Sequence, residues 1–336
     1  MTRVRHVPAP ASAVAHHRVW PFWMIGLAAV AALVGGVVKS SEAVAFARIV
    51  ERARPWWLAI ASVLQLATYV ALGEVWRVMA RRANTRLSIG LASELSLVKL
   101  FIDQALPSGG LSGAVAIARA LQRRGMTEPA AIATVVVETV SFNLAYVIAL
   151  AAAVLLAALS GHVTALIVGS AIAVGVFSIA AIVLVLAVAG GRPPPERLAR
   201  VGVIRRSLDA VRRADRGLVR EPRARAITTV LQLGIILLDA ATIISLVHAL
   251  GEDVSIAGVF ASYMVASVFR TLGILPGGLG SFEAASVLTL HAIGVTTTVA
   301  LSATLAFRGL SFWLPMLPGF VASRHLTRRD GHAGRA

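Results

Sequence analysis

Two apolar stretches, residues 87–122 and 256–293, are broken midway: by Leu106-Pro107-Ser108-Gly109-Gly110 in the first and by Leu275-Pro276-Gly277-Gly278-Leu279-Gly280 in the second. Proline removes a backbone donor and glycine frees the chain, so neither stretch can continue as one helix. Around them lie uninterrupted apolar runs at 22–39, 56–80, 129–159, 162–189, 226–250 and 298–321. Each is near or above the roughly 20 residues that a membrane-spanning helix needs. With 57% hydrophobic and 14% charged residues, the chain has too little polar surface to cover a soluble globule, and lipid must be its solvent. The predicted fold class is all-α, a polytopic membrane protein with six full transmembrane helices plus two re-entrant broken hairpins.

Orientation follows from the basic residues. Arg77, Arg81, Arg82 and Arg86 follow the second span, and Arg119, Arg123 and Arg124 close the first broken segment. The connector 190–225 carries eleven Arg against four acids, and Arg324, Arg328, Arg329 and Arg335 crowd the end of the chain. By the positive-inside rule these segments are cytoplasmic, which predicts an inner-membrane protein with both termini in the cytoplasm. The loop before Pro55, with Arg48, Arg52 and Arg54, fits this rule less well. Arg3, Arg5 and Arg18 precede the run Phe22–Val38, which is long enough to be a retained helix and not a cleaved signal. The net charge of +16 is read as loops facing anionic headgroups, so nucleic acid is not an expected partner. The absence of cysteine excludes disulfides and thiolate chemistry.

Basic tracts flank the first broken segment on both sides, so it enters and leaves the membrane on one face. The second, flanked by 251–255 and 294–298, enters from the other. Non-helical backbone at membrane depth needs protein or a watery cavity to satisfy it, so each glycine-rich tip is expected to line a site.

The chain also repeats itself. Val63-Leu64-Gln65-Leu66 recurs as Val230-Leu231-Gln232-Leu233, the bend 106–109 recurs at 275–278, and Glu138-Thr139-Val140-Ser141-Phe142-Asn143-Leu144 aligns with Arg308-Gly309-Leu310-Ser311-Phe312-Trp313-Leu314. The order is kept and the offset is nearly constant, which defines halves at 20–160 and 162–323, joined through the connector 190–225, within one integral membrane domain 1–336. A unit of span, span, hairpin, span crosses three times, so its second copy is inverted. Secondary transporters place substrate at the interface of such inverted repeats.

The half-helix after each glycine pair starts with unpartnered N–H groups, which suit an anion such as a lipid phosphate. Ionisable residues inside apolar segments are costly and default to function or pairing. Asp103, Arg270 and Glu283 lie within two turns of a bend and, with Gly109, Gly110, Gly277 and Gly278, are the expected substrate-binding residues. Pro107, Pro276 and Asp239 are expected to be structural or coupling residues, as are Glu138 and Arg308, whose equivalent repeat positions suggest an ion pair. Glu94 and Lys99 are read as solvating the hairpin's cavity face or pairing with neighbours, and Glu74 with Arg77 as sitting at a helix end. Trp20, Trp23, Trp56, Trp57 and Trp76 are read as interfacial anchors. Gly110-Leu111-Ser112-Gly113 resembles the serine motif of rhomboid proteases, but His248 and His291 lie too far along the chain for that dyad. No metal, dinucleotide or nucleotide motif is present, so neither a catalyst nor a cofactor site is expected.

Leu275-Pro276-Gly277-Gly278-Leu279-Gly280-Ser281-Phe282-Glu283-Ala284-Ala285, followed by Phe307-Arg308-Gly309-Leu310-Ser311-Phe312-Trp313-Leu314, resembles the lysylphosphatidylglycerol synthase transmembrane (flippase-like, UPF0104) family over about 20–323. The resemblance implies a membrane domain that moves lipids such as aminoacylated phosphatidylglycerol or polyprenyl-linked sugars between leaflets. It implies roles for the Gly-Gly bend, Glu283 and Arg308. The chain departs from the pattern after its first bend, where Ala114-Val115 replace a Glu-x-x-Arg element and only Arg119 is kept, and at Glu138-Thr139. It ends at Ala336 without an appended soluble aminoacyl-transfer domain, so lipid synthesis is not expected. The predicted function is a flippase-like transporter of an anionic phospholipid or polyprenyl-linked lipid. The alternatives are a small-solute or proton-coupled transporter and a non-transporting partner of a membrane glycosyltransferase or synthase.

Overall fold

The computed structural model describes residues 53–106, 110–159, 165–193, 195, 200, 202–272 and 276–333. The expected first span at 22–39 lies outside the described residues, as do Trp20, Trp23, Pro107 and Gly109.

Helix α1 (Pro55–Arg82) is followed by α2 (Ile89–Ala105) and α3 (Leu111–Gln122), the arms of the first broken segment, and by α4 (Glu128–Leu159) and α5 (Ala165–Ala189). Short helices α6 (Gly202–Val211) and α7 (Arg216–Arg220) lead into α8 (Pro222–Ala249). The second broken segment forms α9 (Ile256–Leu272), a 3-10 turn at Pro276–Gly278 and α10 (Ser281–Ala292). Helix α11 (Thr297–Arg308) passes through a π turn at Gly309–Trp313 into α12 (Leu314–Ala333). Among the described residues five helical stretches are long and apolar enough to cross a membrane: α1, α4, α5, α8 and the run Thr297–Ser323. The chain is an all-helical, multi-pass membrane protein.

The matched lengths of its elements carry the repeat into three dimensions. Helices α1 and α8 each have 28 residues and open on proline, which suits the first helical position because its missing N–H would be unpaired there anyway. Helices α2 and α9 each have 17 residues, and α3 and α10 each have 12. Corresponding helices start 167 residues apart up to the bends (Pro55 to Pro222, Ile89 to Ile256) and 170 apart after them (Leu111 to Ser281), so the second bend is longer by three residues. Position by position this matches Asp103 with Arg270, Gly113 with Glu283 and Glu138 with Arg308.

Four contacts fix how the copies sit. The Arg54 amide donates to the Ala249 carbonyl at 2.8 Å, and Arg82 pairs with Glu221 at the other end, so α1 and α8 run antiparallel along their whole length. The Asp215 amide donates to the Pro129 carbonyl at 3.0 Å, which brings the start of α4 to the end that holds Arg82 and Glu221. The first hairpin therefore leaves the bundle at the end where it entered. At the opposite end Glu252 accepts from the Thr296 amide and from its hydroxyl at 2.6 Å, closing the neck of the second hairpin.

Each hairpin packs against the closing span of the other half, α2 on α12 and α9 on α4. The larger apolar cluster joins α8 to α11 with α4, and a second joins α1, α2, α3 and the start of α4. Val63, Leu66 and Val70 on α1, Ile172, Val176 and Val183 on α5, and Val230 on α8 stay exposed, an outer surface suited to acyl chains. Trp76 belongs inside, contrary to the anchor role expected for it. It is fully buried in the second cluster, because the helix turn that carries it faces α2 and α3. Trp56 is exposed, and Trp57 stacks on His248 with ring centroids 5.0 Å apart.

Candidate functional site

Each hairpin tip is organised by a carboxylate that accepts a backbone amide at the start of its second arm. In the second hairpin the turn Pro276–Gly278 runs into Gly280, the N-cap of α10, with left-handed φ at Gly277, Gly278 and Gly280. Gly278 has no alternative: a Cβ there would stand 2.6 Å from Arg270 Cα and 2.9 Å from its carbonyl oxygen. Glu283, three residues into α10, turns back so that its Oε2 accepts the Gly280 amide at 2.7 Å. Its Oε1 accepts from Arg308 Nε at 2.6 Å, and Arg308 Nη2 donates to the Gly277 carbonyl at 3.0 Å. The guanidinium lies 4.4 Å from the Phe312 ring centroid and 5.3 Å from that of Phe282. Glu283 is 1% and Arg308 4% exposed, so this pair is desolvated and closed by its own partners.

The first hairpin reaches the same arrangement by another route. Gly110, also left-handed, caps α3, and the residue matched to Glu283 is Gly113, which has no side chain to turn back. Asp103 on the facing arm fills the gap: its Oδ1 accepts the Gly113 amide at 3.1 Å. Its Oδ2 accepts from Lys99 Nζ at 2.7 Å, and Lys99 also lies 3.8 Å from Glu138 Oε1. One amide at the start of each second arm, that of Gly113 and that of Gly280, thus holds one of the protein's own carboxylates. The expected Glu138–Arg308 pair does not form, because each half supplies its own counter-charge: Lys99 for Glu138 and Glu283 for Arg308.

Signs reverse between the halves. Asp103 and Glu138 are acidic around Lys99, while their counterparts Arg270 and Arg308 are basic and only Arg308 pairs with Glu283. Among the described residues Lys99 and Arg308 have carboxylates within 4.0 Å, and Arg270 has none. Half-buried on the last turn of α9, Arg270 lies within electrostatic reach of Asp239, Tyr263 and Tyr146. Asp239 accepts from Tyr263 at 2.8 Å and from Gln65 Nε2 at 3.3 Å. Around this track Tyr146 lies beside Thr271 and Ser267 beside Tyr263, and Gln65 Oε1 is buried without a partner among the described residues.

The halves meet at the π turn. Such a turn frees carbonyls from the helical ladder, and here Tyr69 of α1 donates to Leu310 O at 2.5 Å and Gln104 of α2 to Ser311 O at 3.4 Å. Helix α2 also packs on the turn Pro276–Gly278. Glu74 pairs with Arg77 and Arg81 at a helix end, away from the tips. His248 and His291 each place Nδ1 against a backbone carbonyl at a helix C-terminus, those of Glu252 and Val295.

Residues 23–319 match the family described as the lysylphosphatidylglycerol synthase TM region. The chain belongs to that family. It is also 30% identical over 74 residues to a UPF0104 membrane protein of Methanothermobacter thermautotrophicus, a match that covers 22% of this chain and 22% of that relative. In this member of the lysylphosphatidylglycerol synthase TM family, the missed site residues are Tyr69, Gln104, Tyr263, Gln65 and the two rings around Arg308. Gln65 and Phe312 were visible in the repeated motifs, as matched positions whose side chains had no assigned role. Tyr69 and Gln104 carried no signal, because their acceptors exist only where the π turn opens the ladder.

Proposed function

We propose that this chain moves a phospholipid or polyprenyl-linked lipid between leaflets of the cell membrane, with the headgroup phosphate held at Arg270. One observation carries the reading: Arg270 sits at the tip of a re-entrant hairpin with no carboxylate within 4.0 Å among the described residues, while Lys99 and Arg308 are already paired. A guanidinium in that setting is a strong phosphate ligand, since charge-assisted bonds gain where water is scarce. The neighbouring Tyr146 and Tyr263 hydroxyls add polar groups beside it. Antiparallel halves that share one site can expose it first to one face and then to the other. The basic connector and the end that holds Arg82 and Glu221 face the cytoplasm in this reading.

Reconstitution into liposomes with a fluorescent phosphatidylglycerol tests it. Arg270→Gln is expected to slow leaflet exchange at least about tenfold, as loss of one charge-assisted contact would, while Arg192→Gln in the connector leaves it unchanged. Equal exchange by Arg270→Gln and the unsubstituted protein would refute the reading. Asp239, bonded by Tyr263 and Gln65, supports a second reading in which a carboxylic acid carries a coupled proton. Exchange driven by an imposed pH gradient and abolished by Asp239→Asn would select it.

A further inference from the structure

Away from the hairpin tips, the end of α5 and the segment entering α8 enclose a cavity of about 150 Å³. Leu186, Ala189 and Val219 form its apolar wall, and Arg216, Arg220 and Arg225 complete its lining, Arg216 and Arg220 also reaching the exposed surface. That volume holds about five waters at roughly 30 Å³ each, room for one phosphate and its remaining hydration. Arg225 donates through Nη2 to the Arg220 carbonyl at 3.3 Å, but its Nε is buried with no acceptor among the described residues. Arg216 is laid against the Gly191 backbone, where a Cβ would come 2.4 Å from its Nη2, so the glycine leaves the guanidinium its place.

The nearby acids are engaged elsewhere. Glu221 pairs with Arg82, Asp215 caps the amides of Gly217 and Leu218, and Asp209 faces Arg205. Among the described residues no carboxylate comes within 4.0 Å of Arg216, Arg220 or Arg225. Three arginines lining one cavity, one of them with a buried unused donor, suit an anion, and the five N–H groups of each guanidinium match a phosphate. We propose that this cavity binds the phosphate of an anionic phospholipid headgroup at the membrane boundary, as a site separate from the hairpin tips. The apolar wall, Leu186 and Ala189 at the end of the spanning helix α5 with Val219 on the short helix α7, points to a lipid, whose glycerol it would contact.

Native mass spectrometry of the detergent-purified full chain with added phosphatidylglycerol tests the site, alongside thermal unfolding with inorganic phosphate alone. The double substitution Arg216→Gln/Arg220→Gln changes two largely exposed side chains, so folding is preserved. It is expected to weaken lipid retention at least about tenfold, whereas Arg223→Gln, exposed on the next turn and outside the cavity, does not. Stabilisation by inorganic phosphate that the double variant loses, with lipid retention unchanged, would keep the site and assign it to a soluble phosphate. Equal behaviour of the unsubstituted chain and the double variant in both arms overturns the proposal, as does an equal loss with Arg223→Gln, which would mean diffuse loop charge.

Discussion

The carboxylate of Asp103 occupies the place that a side chain on Gly113 would take: its Oδ1 stands 2.1 Å from the position of a Cβ on Gly113. One arm of the hairpin lends its acid to the other, and the glycine is the opening through which it does so. Gly113→Ala is therefore expected to push Asp103 off the amide and away from Lys99. Overpacking of this kind costs about 1–3 kcal/mol, to be read as a lower unfolding temperature in detergent. Asp103→Ala combined with Gly113→Ala should recover part of that loss, and an additive double variant would show that the two positions do not compete.

Glu283 and Arg308 make a desolvated pair, so removing one partner leaves a bare charge. Glu283→Gln and Arg308→Met are each expected to destabilise the chain by about 3–5 kcal/mol. Replacing both with methionine should cost clearly less than either single change, since no charge then stays buried. Arg308→Lys is not conservative here, because an ammonium cannot span Glu283, the Gly277 carbonyl and two rings together.

The Tyr69 hydroxyl is the half-to-half bond most open to a clean test. Tyr69→Phe keeps the ring and loses only the bond to Leu310 O, which is expected to cost about 0.5–1.5 kcal/mol. Hydrogen exchange should rise selectively at amides 309–315. Uniform exchange across the chain would mean that the π turn does not depend on this contact.

Hairpin geometry makes a labelling prediction. Single cysteines at Arg86 and Arg124, exposed on either side of the first hairpin, should react with an impermeant maleimide from the same face of a sealed vesicle. A cysteine at the exposed Asp253 should react only from the other face. Residues 86 and 124 labelled from different faces would contradict the re-entrant path.

Much of the architecture was legible because it is written in the backbone's needs. Proline and glycine interrupt apolar runs at the bends, and loop arginines mark one end of the bundle. The offset drift between the repeated motifs corresponds to a second bend longer by three residues. The pairing of the interior charges was not legible. Symmetry suggested Glu138 with Arg308, but a repeat that has diverged in sign at matched positions satisfies each charge within its own half. Nor could Gly113 be read as the doorway for Asp103, since a missing side chain leaves no mark of what fills its space. Trp76 misled because position along a span tells how near a residue is to the helix end, not which way it faces.

The second hairpin is fastened from tip to neck. Gly278 lies on the Arg270 backbone, Ser281 Oγ donates to Phe269 O at 3.1 Å, Ser262 and Thr289 share a hydrogen bond at 2.6 Å, and Glu252 holds Thr296. Its two arms cannot slide or part without breaking that zipper, so Arg270 has little freedom of its own. In the transport reading proposed above, the arm pair is expected to move as one lever and not to hinge at its glycines.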